Sequence, residues 1–552
     1  MKTHLDFVYE HETQIPDRPW LTQPMGGGAL EEYTWKRGMD EARRMAAHLG
    51  TLGFAPKTKI AIFAKNNAWW LISDLAIWMA GHVSVPVYPT LAAGSIKQIL
   101  EHSEAKLVIV GKLDGFKLME PGLPAELPRI AMPLAPAELK NATPWREIIA
   151  KTAPLTGTPR RALDDLATII YTSGSTGVPK GVMHSFRTMA AAQRFTDLTS
   201  LKLDDRLISY LPLAHVAERA VLQTTNCQVG YHVYFAEALD TFNVDVRRAQ
   251  PTVFGSVPRL WLKFQSGVYA KMPPKKLARM LKIPILSRIV KKKVLDALGL
   301  YNVRWAVTGS APTPKELVAF YTELGLNMYE MYGMTENFAV SHSALPGQVR
   351  SGYIGTPLPG VEQKIGPNDE VLVKSPGTML GYYKADALTK ETIDAEGFLH
   401  TGDRGEIDSE GRLKITGRVK EQFKTSKGKY VAPAPIENRL LAYPDLEQAC
   451  VSGADMAQPY ALVVLAEHIR KSDRVKSERA AIGKALEAYV AKLNQELDPH
   501  EQLEKVVVMA DEWTVDNGLL TPTLKLKRAA IEARYAPNVP AWYAQKDHVI
   551  WA

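Results

Sequence analysis

Cysteine is nearly absent from the 552-residue chain: Cys227 and Cys450 stand far apart, so there is no disulfide framework and no C-x-x-C or Cys/His cluster for zinc. That usage favours a reducing, cytoplasmic location, with a peripheral position at the inner membrane face left open. No continuous apolar stretch follows Met1, which argues against secretion. The most apolar window, Trp69 to Ala80, is interrupted by Asp74 and falls short of the ~20 apolar residues a membrane span needs, so it predicts a buried helix. Solenoid repeats and long low-complexity segments are also missing. Neither sign of charge dominates, because 67 basic against 59 acidic residues leave a net charge of +8. Such an excess helps attract small anions or an anionic membrane surface but is not a nucleic-acid signature.

What is present is an ordinary globular composition, 46% hydrophobic, on a chain too long for one compact unit, so two or more domains are expected. Short β-rich runs (Lys59–Phe63, Lys106–Val110, Thr168–Ile170, Thr252–Phe254, Val303–Val307) alternate with helical stretches such as Glu41–Leu52 and Ala92–His102. That alternation predicts an α/β fold of βαβ units with covered parallel sheets. Glycine-rich turns from Asp394 to Gly417 predict hairpins of a small β subdomain. From about Glu421 the chain becomes Lys- and Glu-rich, with a helix expected over Ile436–Leu441, a strand over Tyr460–Leu465 and a helix over Glu478–Leu497. Cations crowd the segment from Lys271 to Lys293 among Leu, Ile and Val. It reads as a solvated helix pair linking two strands, or alternatively as a peripheral membrane contact.

The most specific segment is Tyr171–Gly181, YTSGSTGVPKG, directly after the apolar run Ala167–Ile170. Gly174 and Gly177 let backbone N–H groups approach a polyanion. Thr172, Ser173, Ser175 and Thr176 add hydroxyls, and Lys180 adds a point charge suited to phosphate oxygens. A flexible polar linker would not normally follow a buried strand or end in Pro-Lys-Gly. In a Walker A motif the Lys follows Gly directly, whereas Val178 and Pro179 intervene here, so a P-loop ATPase is not expected.

The loop resembles the signature of the adenylate-forming superfamily, and further motifs follow in that family's order. Tyr332-Gly333-Met334-Thr335-Glu336 matches the segment that puts an aromatic near adenine, a Thr near the α-phosphate and a Glu on magnesium. The resemblance assigns Gly309-Ser310-Ala311 to the adenine-contacting turn and Asp403 of Thr401-Gly-Asp403 to the ribose hydroxyls. Gly417-Arg418-Val-Lys420 supplies an Arg for ribose or phosphate and a hinge at Lys420. In the tail Leu520–Arg528, Lys525 corresponds to the mobile lysine of adenylation, with Lys527 as the alternative; Thr176 and Glu336 are the expected metal contacts.

Segments Tyr210–Arg219, Ser256–Trp261 and Lys424–Pro433 with Ile436–Asn438 look like the long-chain fatty acyl-CoA synthetase branch. His215 corresponds to a residue guarding the acyl pocket, against the alternative of a satisfied core histidine. Met334 and Asn337-Phe338 depart from several fatty acyl ligases and leave the acyl chain open. The resemblance thus implies an N-terminal domain over 1–419, a smaller mobile α+β domain over 420–552, and an AMP-forming acyl-CoA ligase. Its cosubstrates would be ATP, CoA and a carboxylic acid, medium- or long-chain fatty, with Mg2+ as cofactor. An aryl or other non-fatty substrate, a carrier protein loaded in trans, a non-catalytic nucleotide-binding protein and a homodimer are the alternatives kept open.

Overall fold

A computed structural model describes the chain apart from residues 174–178, 471–476, 516 and 522–524 and the side chains of Ser173 and His468. The centre of the large N-terminal part is an eight-stranded sheet in the order Gly381–Tyr382, Pro179–Ser185, Leu166–Ser173, Val83–Val87, Lys59–Phe63, Leu107–Val110, Arg129–Ala131, Ala142–Pro144. From Leu166–Ser173 outward the pairs are parallel, while Pro179–Ser185 folds back antiparallel. The central parallel strands are buried, with all five residues of Val83–Val87 and all four of Leu107–Val110 inside, while the edge strand Ala142–Pro144 is not. Helices cover both faces, which is why these strands read as continuous apolar runs rather than alternating ones.

Helix Trp35–Thr51 starts on the Thr34 side chain, which accepts the Arg37 N–H, and buries Trp35, Met39, Ala42, Met45, Ala46 and Leu49 at spacings of three and four. The apolar window forms helix Ala68–Met79, capped by Asn67 and buried at every position. It is a core helix.

A second sheet, of five strands, runs Val253–Ser256, Trp305–Gly309, Met328–Tyr332, His342–Ser343, Thr356–Pro357, the first three parallel. A third combines Arg206–Ser209, His232–Phe235, Pro19–Gly26 and Ala29–Thr34. The expected small β unit is an antiparallel sheet of Glu362–Ile365, Glu370–Lys374, Leu399–Ile407 and Leu413–Arg418. Beyond Lys420 come a hairpin, Phe423–Lys424 with Tyr430–Val431, and a mixed sheet of Leu446–Ser452, Tyr460–Leu465, Lys505–Val508 and Val549–Trp551. This C-terminal part has apolar clusters of its own, around Ile436, Val463 and Leu486 and around Leu462, Trp513 and Ile531.

Several expected boundaries shift by one to three residues. The strand expected at Val303 starts at Trp305 and extends to Gly309, because the Val303 N–H closes a turn onto the Leu300 carbonyl at 3.1 Å. Parallel sheets bind ligands at the carboxyl ends of their strands. Those ends here carry Thr172 and Ser173, Gly309, and Tyr332.

Candidate active site

Gly309 and Met331 are register partners on parallel strands, and a Cβ on Gly309 would lie 2.6 Å from the Met331 carbonyl oxygen. Only glycine fits there. Ser310 then turns the chain with φ +67°, leaving Ser310 and Ala311 exposed at the strand end. A Cβ on Gly333 would meet Ala339 Cα at 2.6 Å, so glycine also allows the sharp return through the short helix Thr335–Asn337.

Asp403 and Arg418 face each other across the Leu399–Ile407/Leu413–Arg418 ladder. The Arg418 Nε lies 3.0 Å from Asp403 Oδ1, and the Tyr332 hydroxyl donates to Oδ2 at 2.6 Å. The Asp403 backbone N–H donates to Thr401 Oγ1 at 3.1 Å. Each carboxylate oxygen can still accept another donor. Burial, then Asp403, pushes the Tyr332 phenol well above its ordinary range, so it stays protonated and donating.

On the other side of the cleft, Thr172 and Lys180 are partners in the Leu166–Ser173/Pro179–Ser185 ladder. The Lys180 ammonium stands 5.7 Å from the centre of the Tyr382 ring, and Lys180, Gly181, His102, Tyr382 and Tyr383 line a cavity of 180 Å³. The Tyr382 hydroxyl donates to Glu336 Oε1 at 2.8 Å, and the Glu336 carbonyl accepts the Met379 N–H at 2.8 Å. Gly174, Ser175, Thr176 and Gly177 lie outside the described residues. Thr335 is buried, and its carbonyl accepts from His184 Nε2 at 2.8 Å. Burial lowers the His184 pKa to about 3, so the ring is neutral, and the carbonyl partner assigns its proton to Nε2.

Among the described residues no group of three His, Cys, Asp or Glu could hold a metal by itself. Glu336 is a single carboxylate donor. That suits a magnesium ion shared with substrate phosphates, since Mg2+ typically takes one or two carboxylates and fills its shell with phosphate and water oxygens.

Lys525, from the C-terminal part, reaches this same cleft. Its pKa is lowered, first by the surrounding cleft walls and then by Arg418, while Asp403, Glu336 and Glu421 act in the opposite sense. The residue keeps solvent-exposed surface even so, which is what a side chain projecting into an open cleft has. Its charge also acts on His215, whose pKa burial lowers to about 3. His215 caps its short helix by accepting the Ala217 N–H on Nδ1 at 3.2 Å, so its proton sits on Nε2. Tyr88 packs edge-on to the ring, with centroids 6.5 Å apart. Lys527 is exposed, its N–H bonded to the Leu519 carbonyl at 2.9 Å. Lys420 lies exposed in the turn after Leu413–Arg418.

The cleft thus gathers Tyr332, Glu336, Asp403, Arg418, His215 and Lys525, with Lys180 joined through Tyr382. Sequence reasoning missed Tyr382, His184, Tyr88 and Glu421. Each acts through a partner remote in sequence, so local spacing carries no signal for it; Tyr382 is separated from its Glu336 partner by 46 positions.

Comparison with known proteins identifies the family. Residues 8–383 match the model of the AMP-binding enzyme family, and residues 420–547 match that of the AMP-binding enzyme C-terminal domain. A long-chain-fatty-acid–CoA ligase of Mycobacterium bovis is 30% identical over 589 aligned positions, covering 97% of this chain and 96% of the relative. Long-chain-fatty-acid–CoA ligase 1 of Homo sapiens is 30% identical, covering 96% and 83%. Among solved structures, the adenylation domain of a carboxylate reductase from Mycobacterium chelonae superposes with a TM-score of 0.82 at 22% identity, over 99% of this chain and 91% of that one. An anthranilate–CoA ligase in complex with anthranoyl-AMP gives 0.80 at 21% identity, over 98% of both chains. The chain belongs to the adenylate-forming, AMP-binding enzyme family.

Proposed function

We propose that this protein is an AMP-forming acyl-CoA ligase that activates a medium- or long-chain fatty acid. The observation that carries the reading is the convergence of Lys525, Glu336, Asp403, Arg418 and His215 on one cleft. The fatty substrate rests on the relatives' names and on the segments around His215 and Arg259. Aryl-CoA ligases among the structural neighbours keep an aromatic acid as the second reading.

In the first half-reaction a substrate carboxylate oxygen attacks the α-phosphorus of ATP, and pyrophosphate leaves. Asp403 accepts the ribose hydroxyls on oxygens already oriented by Tyr332 and Arg418. Gly309–Ala311 receive the adenine edge. The loop from Thr172 through Ser173, Gly174, Ser175, Thr176 and Gly177 to Lys180 cradles the outer phosphates. A magnesium ion held by Glu336, with Thr176 as a further contact, would neutralise phosphate charge. Lys525 supplies a cation at the phosphate–carboxylate junction, and preorganised donors of this kind typically contribute about 10²–10³ in rate each. Neutral His215 offers its Nε2–H to the substrate carboxylate without adding charge, and Thr335 borders the α-phosphate.

In the second half-reaction the CoA thiol attacks the acyl carbonyl and AMP leaves. Lys525 has no role there, and we infer that the C-terminal domain, parting from the rest at Lys420, turns to withdraw it. The arrangement described above corresponds to the adenylating posture. The test is pyrophosphate release with ATP and Mg2+ across acids from acetate through palmitate to benzoate, each with and without CoA. Release peaking on long chains with CoA consumed supports the proposal. A peak on benzoate favours the second reading, and no release with any acid overturns both.

A further inference from the structure

The cationic segment is built as a helix pair, Pro274–Leu281 and Pro284–Leu298, between two strands of the five-stranded sheet. Leu277, Val290 and Val294 bury one side of the pair and fix it to the body of the molecule. At the corner between the helices, Ile283, Ile285 and Ile289 turn outward, 54%, 78% and 57% exposed. Ile285 and Ile289 are one helical turn apart, and Arg288 and Lys292 share that outer face.

No aspartate or glutamate occurs between Asp245 and Asp296, so the segment carries no acidic residue of its own. Among the cations from Lys271 to Lys293, Lys292 alone has an ionic partner among the described residues, Asp296 at 2.6 Å. A solvated surface helix gains nothing by exposing three isoleucines at one corner. A second copy of the chain docked patch to patch would set cations against cations. Binding to nucleic-acid phosphates would use the cations and leave the isoleucines idle.

We propose that this corner docks on an anionic lipid bilayer, with Ile283, Ile285 and Ile289 inserted at the acyl boundary and the flanking lysines and arginines on the lipid headgroups. Apolar insertion and headgroup charge together are what hold peripheral proteins on membranes. The proposal rests on the surface alone and does not depend on which acid the cleft activates.

The test is co-sedimentation of the full chain with vesicles of phosphatidylcholine alone and of phosphatidylcholine mixed with phosphatidylglycerol, without ATP or acid. The expected result is binding to the mixed vesicles that weakens with salt, and a loss of about tenfold for both I285E/I289E and K275Q/K276Q/K282Q. Both variants change exposed positions and should release pyrophosphate with octanoate at the parent rate, which keeps this test separate from that of the ligase reading. Parent protein left in the supernatant with mixed vesicles would overturn the proposal. So would I285E/I289E binding as tightly as the parent.

Discussion

Arg259 and Glu447 join the two parts of the chain: the Arg259 Nη2 donates to Glu447 Oε1 at 2.5 Å. Arg259 opens helix Pro258–Lys271 behind a strand of the five-stranded sheet, and Glu447 sits on the first strand of the C-terminal sheet. One helical turn on, Lys263 Nζ lies 3.9 Å from Glu467 Oε2, and Glu447 is also 3.6 Å from Arg470. Of these, Arg259–Glu447 and Lys263–Glu467 cross between the two parts and so favour the posture that brings Lys525 to the cleft, while Glu447–Arg470 lies within the C-terminal part. A half-exposed pair contributes up to about 1 kcal/mol, roughly a fivefold population shift. R259E should therefore slow adenylation severalfold, and R259K should retain most of it. Neither should slow thioester formation from supplied acyl-AMP and CoA. Equal loss in both half-reactions would mean that Arg259 supports the fold and not the posture.

Lys525→Ala should abolish pyrophosphate release while largely sparing thioester formation from supplied acyl-AMP. The pH dependence has a definite sign. Cleft burial and Arg418 lower the Lys525 pKa, so the folded protein gives up this proton before an unfolded chain would. The alkaline fall in adenylation should thus begin below the ordinary lysine range, and K525R should move it upward because guanidinium keeps its charge. The charged lysine also costs the fold a little at neutral pH, a cost that fades as pH rises. Urea midpoints of K525A at neutral pH should equal or slightly exceed those of the parent. Alkaline limbs that coincide for parent and K525R would remove Lys525 from the titration.

The sequence made the strands legible where burial on both faces leaves an unbroken apolar run, as at Lys59–Phe63 and Tyr460–Leu465. Ends were less legible, since the strand runs on to Gly309, whose close approach to the Met331 carbonyl on the neighbouring strand has no local sequence signal. The cleft residues were readable as motifs because each sits at a strand end or turn with its chemistry on its own side chain. Their partners were not. The proton on His215 Nε2 follows from a backbone bond to Ala217, and the orientation of Glu336 from Tyr382; both need three dimensions.

Glu218, next to Arg219 in the His215 segment, is buried and its pKa is raised to about 8. Its Oε1 accepts from Ser209 Oγ at 2.8 Å and from the Tyr210 N–H at 3.2 Å, which offset only part of the burial. An unfolded chain ionises this carboxyl near the ordinary value of about 4.5, so the fold loses stability as pH rises from there toward 8. Glutamine keeps the accepting oxygen and carries no charge. E218Q should match the parent in urea at pH 5 and exceed it by about 2–4 kcal/mol at pH 8. A difference independent of pH would show that Glu218 ionises normally in the fold.

Tyr382 gives the last test, because it touches both halves of the phosphate side of the cleft. Its hydroxyl fixes one oxygen of Glu336 while its ring faces the Lys180 ammonium. Burial and Glu336 raise the phenol pKa, so it remains a donor throughout the working range. Phe in its place keeps the ring contact and removes only the hydrogen bond, leaving the Glu336 carboxylate free to rotate. Residues that orient a metal ligand in this way typically contribute about 10–100-fold in metal affinity or activity. Y382F should therefore demand more Mg2+ for half-maximal pyrophosphate release at fixed ATP, with a rate near that of the parent once Mg2+ is saturating, whereas E336Q should remain slow at any Mg2+ concentration. Superimposable Mg2+ titrations for Y382F and the parent would sever Tyr382 from the metal, and recovery of E336Q at high Mg2+ would sever Glu336 from catalysis.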